Sequence, residues 1–247
     1  MRRKKSPQQS FDSNSTSKPI SNPYSKRGQL KKPAIVIPRN QRQEDLLNYC
    51  MDDDIKLVAT IGPAGCGKSF IFMTQAIQAL QKKKIDKIVI LRPLYGVENG
   101  AASLGALPGT LFQKLENYMI PLLDFLEDYY PRKEVMTMIE NDVISVQAIT
   151  FLRGRNLDRC WIVADEMQNC SIGEVKCLLT RACEGAKIFI SGDLEQIDRK
   201  FNNNDNGLAD LIDKIEDHPS PMTAFVEFEK GDSVRSPFVQ HILDLYQ

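Results

Sequence analysis

Residues Gly62-Pro63-Ala64-Gly65-Cys66-Gly67-Lys68-Ser69 satisfy G-x-x-x-x-G-K-[ST] at every fixed position, between an apolar run ending at Ile61 and a helical run over 70–84. That context confines the chain to a strand–loop–helix unit at this point. Glycines let the backbone wrap inward so that consecutive N–H groups converge, and the start of a helix adds positive potential there. Such a cradle holds the phosphates of a nucleotide. Lys68 is placed to reach the β- and γ-phosphates, and the Ser69 hydroxyl to ligate Mg²⁺. The whole loop from Gly62 through Pro63, Ala64, Gly65, Cys66, Gly67 and Lys68 to Ser69 is the candidate nucleotide-binding segment.

From about residue 40 onward, short apolar runs alternate with longer periodic ones. The strand candidates are Lys56–Ile61, Lys87–Leu91, Val143–Val146, Cys160–Ala164, Lys187–Ser191 and Ala224–Phe228. Most are continuous apolar runs, as expected of strands covered on both faces of a parallel sheet. Between them, Val175, Leu178, Leu179 and Ala182 recur at helical spacing, as do Leu208, Leu211, Ile212 and Ile215. A longer helix is marked by Leu111, Leu115, Tyr118, Met119, Leu122, Leu123 and Leu126, with Pro121 expected to bend or split it. The alternation predicts a three-layer α/β domain with a mostly parallel central sheet over residues 34–247.

Residues 1–33 read differently. They hold nine Lys/Arg against the single acid Asp12, so a net charge of zero conceals +8 in this segment and −8 in the rest. The stretch is rich in Ser, Gln, Asn and Pro and poor in large apolar residues, which predicts a disordered basic tail. Such an arm binds phosphate backbones or an acidic partner, or serves only solubility. No apolar run is long enough to cross a bilayer, and polar residues follow Met1-Arg2-Arg3-Lys4-Lys5 where a signal peptide needs an apolar segment. A cytoplasmic protein without membrane contact is expected. The six cysteines include no C-x-x-C pair, and with His218 and His241 as the only histidines a zinc site is not expected. Reduced, mostly buried thiols are the expectation.

Trp161-Ile162-Val163-Ala164-Asp165-Glu166 is an apolar strand ending in two carboxylates. Ligands of a parallel sheet gather at the C-terminal strand ends, which brings Asp165 to the phosphate loop as a Mg²⁺ ligand. Glu166 is then positioned to take a proton from an attacking water, which favours hydrolysis over phosphoryl transfer. The plainer reading is that both acids cap a following helix. Another strand end leads into Ser191-Gly192-Asp193-Leu194-Glu195-Gln196-Ile197-Asp198. Gln196 there is a candidate contact to the γ-phosphate or the water, against an ordinary Gly-Asp turn. No Asn-Lys-x-Asp segment exists to read guanine, so the expected nucleotide is ATP.

Taken together these elements resemble the phosphate-starvation-inducible PhoH-like proteins, whose ATPase core is similar to that of superfamily 1 helicases. The resemblance runs from roughly Pro38 to the C-terminus. Besides the phosphate loop it rests on Leu91-Arg92-Pro93; Leu104-Gly105 with Pro108-Gly109; Phe151-Leu152-Arg153-Gly154-Arg155; Asp165-Glu166-Met167-Gln168-Asn169; Gly192-Asp193 with Gln196-Ile197-Asp198; and Asp232-Ser233-Val234-Arg235. It implies a RecA-like fold, ATP hydrolysis, and a role on RNA or DNA. Asn40-Gln41 resembles the segment that contacts adenine in helicase-like ATPases, making Gln41 the candidate base reader, since an amide both donates and accepts. Arg92, Arg153 and Arg155 are candidates to clamp nucleic-acid phosphate or to complete a neighbour's site, against a surface salt-bridge role. Arg235 resembles the family's late Val-Arg element and would stabilise γ-phosphate charge, in its own subunit or a neighbour's.

The chain departs from the family where Cys66 and Ser69 stand in place of threonines, and where Ser236-Pro237 follows Arg235 in place of the usual His. Cys66 adds a thiol open to oxidation or alkylation beside ATP. The compact core with an added tail resembles versions found in bacteriophages, which would put the protein in a host cytoplasm. One ATPase core without a second RecA-like domain implies a homo-oligomer, naturally a ring, or else weak hydrolysis without translocation. The leading expectation is an ATPase coupled to RNA or single-stranded DNA. A nucleotide sensor with low turnover is the alternative, and a small-molecule kinase a lesser one, lacking an obvious Arg-rich lid. No aromatic-and-basic platform for single strands stands out in the sequence.

Overall fold

The computed structural model describes residues 31–32, 34–93, 123–152, 154–201 and 205–245. Six strands form one sheet: β1 (Leu57–Ile61), β2 (Lys87–Arg92), β3 (Ile144–Ala148), β4 (Cys160–Ala164), β5 (Lys187–Gly192) and β6 (Thr223–Glu227). Their order is β3-β2-β4-β5-β1-β6, and every pairing is parallel. Each strand lies within a few residues of the run that predicted it.

A parallel sheet must be covered on both faces, and side-chain alternation divides the strands between two cores. In β2, Ile88 and Ile90 enter one core while Val89 and Leu91 enter the other. In β4, Trp161 and Val163 face the first, and Cys160, Ile162 and Ala164 the second. The first core is closed by α1 (Gln41–Met51), α2 (Lys68–Gln81) and α3 (Arg132–Glu140), through Leu46, Phe72, Ile77 and Val135. The second is closed by α4 (Ile172–Leu179) and α5 (Gly207–Asp217), through Val175, Leu178, Leu208 and Leu211. Each such side chain taken fully from water contributes about 1.5–3 kcal/mol. The result is the expected three-layer α/β domain.

Helix ends follow from side-chain chemistry. The Asn40 side chain accepts from Gln43 N to start α1, a Ser171–Glu174 capping box starts α4, and the Asn206 side chain accepts from Leu208 N and Ala209 N to start α5. The last helix, α6 (Pro237–Leu245), begins on the proline, where a missing N–H costs nothing. α1 ends against an unusual cap. Lys187, 4% exposed at the start of β5, donates its ammonium to the carbonyls of Tyr49 (2.9 Å), Cys50 (2.7 Å) and Asp52 (2.6 Å). Burial drags this ammonium down to about 8 from its ordinary value of 10.5.

One expectation changes. Ala182 is not on the apolar face of α4; the helix stops at Leu179, and Ala182 pairs with Leu157 in an isolated bridge. Of the helix predicted over 111–126, only its end is described, helical over 123–129 with Leu123 and Leu126 buried. Pro121, Leu104-Gly105, Pro108-Gly109, Arg153 and the basic segment before residue 31 lie outside the described residues. Among the described residues no helix is long and apolar enough to cross a membrane, and no cluster of His, Cys, Asp and Glu could hold a metal ion as a group of three.

Candidate functional site

The phosphate loop leaves β1 and enters α2 through backbone that only glycine adopts without strain. Gly62 has φ +136°, and a Cβ there would stand 2.5 Å from the Phe228 carbonyl oxygen. Gly65 has φ +94°, and a Cβ there would stand 2.6 Å from Arg235 Nε and 2.9 Å from Ser233 Oγ. The loop is thus pressed against the chain that follows β6. Val234 N donates to the Gly65 carbonyl at 3.1 Å, and Phe228 N to the Ile61 carbonyl at 2.8 Å. From the other side Gln43, on α1, donates Nε2 to the Cys66 carbonyl at 2.9 Å. Arg42 joins these two supports, pairing with Asp232 at 2.9 Å and with Glu229.

Inward from the loop lies a cleft of about 420 Å³, whose walls include Lys68, Ser69, Arg92, Asp165, Glu166 and Gln196. Lys68 is 8% exposed and its ammonium is held by the loop's own carbonyls, Gly62 and Pro63, the latter at 2.8 Å. Burial pulls this ammonium below its ordinary value, while Cys66, Asp193, Asp165 and Glu166 act in the opposite sense. β5 stands between β1 and β4, so Asp165 reaches the cleft from two strands away. Its carboxylate is fastened on both oxygens: Ser191 Oγ donates to Oδ1 at 2.7 Å, and Arg92 Nη2 donates to Oδ2 at 3.1 Å.

Glu166 turns the chain immediately afterwards in a left-handed conformation, φ 60° and ψ 31°, which a side chain adopts only at some cost. It precedes the short helical turn Met167–Asn169 but its side chain caps nothing there, which removes the plain capping reading. Instead Glu166 Oε2 accepts from Gln168 Nε2 at 2.8 Å. Gln168 is 1% exposed. Its other contacts run to the loop after β5: Nε2 also donates to the Gln196 carbonyl at 3.1 Å, and Oε1 accepts from Asp193 N at 3.2 Å. Gln196 Nε2 donates to Asp193 Oδ2 at 2.7 Å, which holds its side chain at the cleft wall.

The structure therefore gathers the phosphate loop, Asp165, Glu166, Gln196 and Arg92 around one cleft. It places Arg235 against Gly65 of the same loop in its own chain. Gln41 is not brought there. It lies on the exposed side of α1 with Nε2 bonded to Asp45 Oδ1 at 2.9 Å, and Gln43, two residues on, meets the loop. The available signal was Gln43's place among Leu46, Leu47 and Cys50 on the inner stripe of α1. Arg92, a candidate clamp for nucleic-acid phosphate, pairs instead with the Asp165 carboxylate one strand away. Arg155 is exposed near the sheet edge, bonded to Gln147 Oε1 at 2.5 Å. Ser191, Gln168 and Arg42 are further residues of the assembly that the sequence alone did not single out.

The cysteine expectation divides. Cys50, Cys66, Cys160 and Cys170 are buried, Cys177 is half-buried and Cys183 exposed, all as free thiols. Cys66 is not the reactive group anticipated beside the phosphates. It is 0% exposed, its thiol lies 3.8 Å from the Glu229 carbonyl, and burial pushes its ionisation up, so the nucleophilic thiolate is disfavoured.

Comparison with known proteins is consistent with this geometry. Residues 35–247 match the family model described as PhoH-like protein. A PhoH-like protein of Mycobacterium leprae is 35% identical over 217 residues, 88% of this chain and 60% of the relative. A PhoH-like protein of Bacillus subtilis is 36% identical over 190 residues, covering 77% of this chain and 58% of its own length. The chain thus spans about 60% of the length of the curated relatives it matches. Among solved structures, the large terminase of a thermophilic bacteriophage in complex with ADP superposes with a TM-score of 0.51 at 13% identity, over 84% of this chain and 50% of that one. That likeness is one of fold. With an intact phosphate loop, a parallel six-stranded sheet behind it and a family match over residues 35–247, this chain belongs to the PhoH-like protein family.

Proposed function

We propose that this chain binds ATP with Mg²⁺ and hydrolyses it, with turnover coupled to RNA or single-stranded DNA. One observation supports the hydrolytic reading: Lys68 and Ser69 of the phosphate loop line the same cleft as Asp165 and Glu166 from the end of β4. The donor set suits the metal, since a hydroxyl and a carboxylate are hard oxygen ligands of the kind Mg²⁺ prefers. Ser69 and Asp165 would hold it, and when bound it would neutralise charge on the β- and γ-phosphates.

In this reading the phosphates draw Lys68 away from the Gly62 and Pro63 carbonyls. Glu166 Oε2, held by Gln168, accepts the proton of the attacking water. Gln196 contacts the γ-phosphate or that water. Arg235, packed against Gly65 of the loop, stabilises negative charge as the γ-phosphate departs. Asn40, Gln43 and Arg42 keep the loop registered against the chain that carries Arg235. In this reading the chain acts as a homo-oligomer, naturally a ring.

The test is ATP turnover with and without oligoribonucleotide or single-stranded DNA. Glu166→Gln is expected to lower kcat by about 10²- to 10⁴-fold while nucleotide binding persists. Unchanged turnover in that variant would remove the hydrolase reading. The Arg92–Asp165 pair favours a second reading, a nucleotide sensor of low turnover, because a guanidinium already occupies the metal-binding carboxylate. Failure of either nucleic acid to stimulate hydrolysis would support it.

A further inference from the structure

At the C-terminal end of β3, on the edge of the sheet, the chain tightens into the 3₁₀ turn Ile149–Leu152. Ile149 and Leu152 anchor this turn in the second core at 2% and 0% exposure. Between them Phe151 points outward, 46% exposed. An aromatic ring left in water forgoes about 25 cal/mol for each Å² of apolar surface that stays exposed. Gly154 then reverses the chain with φ +77°, and nothing lies within 4 Å of where its Cβ would be. The reversal brings Arg155 back, with its N donating to the Leu152 carbonyl at 3.1 Å.

Arg155 is exposed, and its one side-chain hydrogen bond among the described residues goes to a neutral amide, Gln147 Oε1. Among the described residues no carboxylate lies within ion-pairing distance of it. Beside this turn a cleft of about 410 Å³ opens toward α4, lined by Ile149, Thr150, Ser171, Gly173, Glu174 and Cys177. Glu174, the acid in that cleft, is tied to Arg199 at 2.6 Å and to Ser171. The sheet order β3-β2-β4 places this turn two strands from Asp165, about 10 Å across the same end of the sheet.

We propose that Phe151 and Arg155 form a subsite for single-stranded nucleic acid, the ring stacking on a base and the guanidinium holding an adjacent phosphate. The inference rests on the nucleic-acid reading above and assigns residues to it. An exposed apolar ring, with a guanidinium four residues on that has no ion-pair partner among the described residues, matches the alternation of base and phosphate along a single strand. The polar cleft beside them, with its Thr150 and Ser171 hydroxyls, accommodates the backbone that follows. The ring lies on the turn at the strand end and the guanidinium belongs to a residue just after it. Binding there adjoins β2, which carries Arg92.

The experiment measures fluorescence anisotropy of labelled oligothymidylate and oligouridylate, each about a dozen nucleotides long, against the full chain, with solution mass measured in parallel. Phe151→Ala is expected to weaken binding about 5- to 100-fold, to melt like the parent protein, and to leave basal ATP turnover unchanged. Phe151→Trp is expected to restore binding, with emission quenched on stacking. Arg155→Gln is expected to lower the salt dependence by about one phosphate contact. The oligothymidylate and oligouridylate arms separate DNA from RNA. If the parent protein binds neither oligonucleotide, the nucleic-acid reading falls and the subsite with it. If it binds but Phe151→Ala binds equally well, the subsite alone is overturned. A Phe151→Ala chain that changes its solution mass while binding oligonucleotide normally would overturn it too, marking the ring as a contact between copies.

Discussion

The Gln168 amide donates to Glu166 Oε2 at 2.8 Å while the same residue accepts from Asp193 N at 3.2 Å, so one buried side chain joins the strand ends of β4 and β5. On the proposed reading this holds the water-activating carboxylate in register with Gln196. Gln168→Ala is expected to reduce kcat about 10-fold or more with little change in nucleotide affinity. Gln168→Glu should be worse, because it sets a second carboxylate against Glu166. Steady-state turnover beside direct nucleotide titration checks this. A rise in KM with unchanged kcat would assign Gln168 to binding instead.

On the proposed reading, Arg92, bonded to Asp165 Oδ2, would compete with a metal ion for that oxygen. Replacing Arg92 with Met is expected to lower the Mg²⁺ concentration needed for half-maximal nucleotide binding about 5-fold, the equivalent of about 1 kcal/mol for a partly exposed pair. Metal titration of nucleotide binding, followed with a fluorescent analogue, reads this directly. A higher metal requirement would mean that Arg92 supports the carboxylate rather than opposing the ion.

Arg235 lies against Gly65 of its own chain, which favours action within one subunit. Arg235→Ala and Lys68→Ala are each expected to abolish most turnover. Mixing the two inactive proteins should restore nothing. Recovery of activity on mixing, at concentrations where copies associate, would show that the arginine serves a neighbour.

Lys187 sets a pH dependence of stability. Its folded value near 8 lies below the ordinary 10.5, so between these limits the unfolded chain holds a proton that the folded one releases. Stability from this group therefore rises as pH increases through that window. Urea unfolding at pH 7.5 and 9.5 should show a gain of about 1–2 kcal/mol in the parent protein, at about 1.4 kcal/mol per pKa unit. Lys187→Met should flatten the difference. Equal slopes in both proteins would show that the three α1 carbonyls hold the proton on Lys187 across the window.

What the sequence determined on its own was local chemistry and layer order. Apolar runs without alternation announced buried parallel strands, because a strand covered on both faces has no polar side to show. The phosphate loop was legible because its glycines answer to backbone geometry within eight consecutive residues, Gly62 to Ser69. Asp165 and Glu166 were legible for a similar reason, as charges set at the end of an apolar run.

Tertiary structure alone decided which distant groups meet. Nothing local says that β5 inserts between β1 and β4, so the Ser191–Asp165 bond could not be foreseen. Arg92 turned from a candidate clamp on nucleic acid into an inward ion pair, since strand order sets its neighbour and spacing does not. Gln41 and Gln43 are two residues apart, but helical rotation turns one to solvent and the other to the loop. The same holds for Phe151, left exposed on a turn at the sheet edge that is anchored by the burial of Ile149 and Leu152. Side-chain type is written in the chain; direction is set by packing.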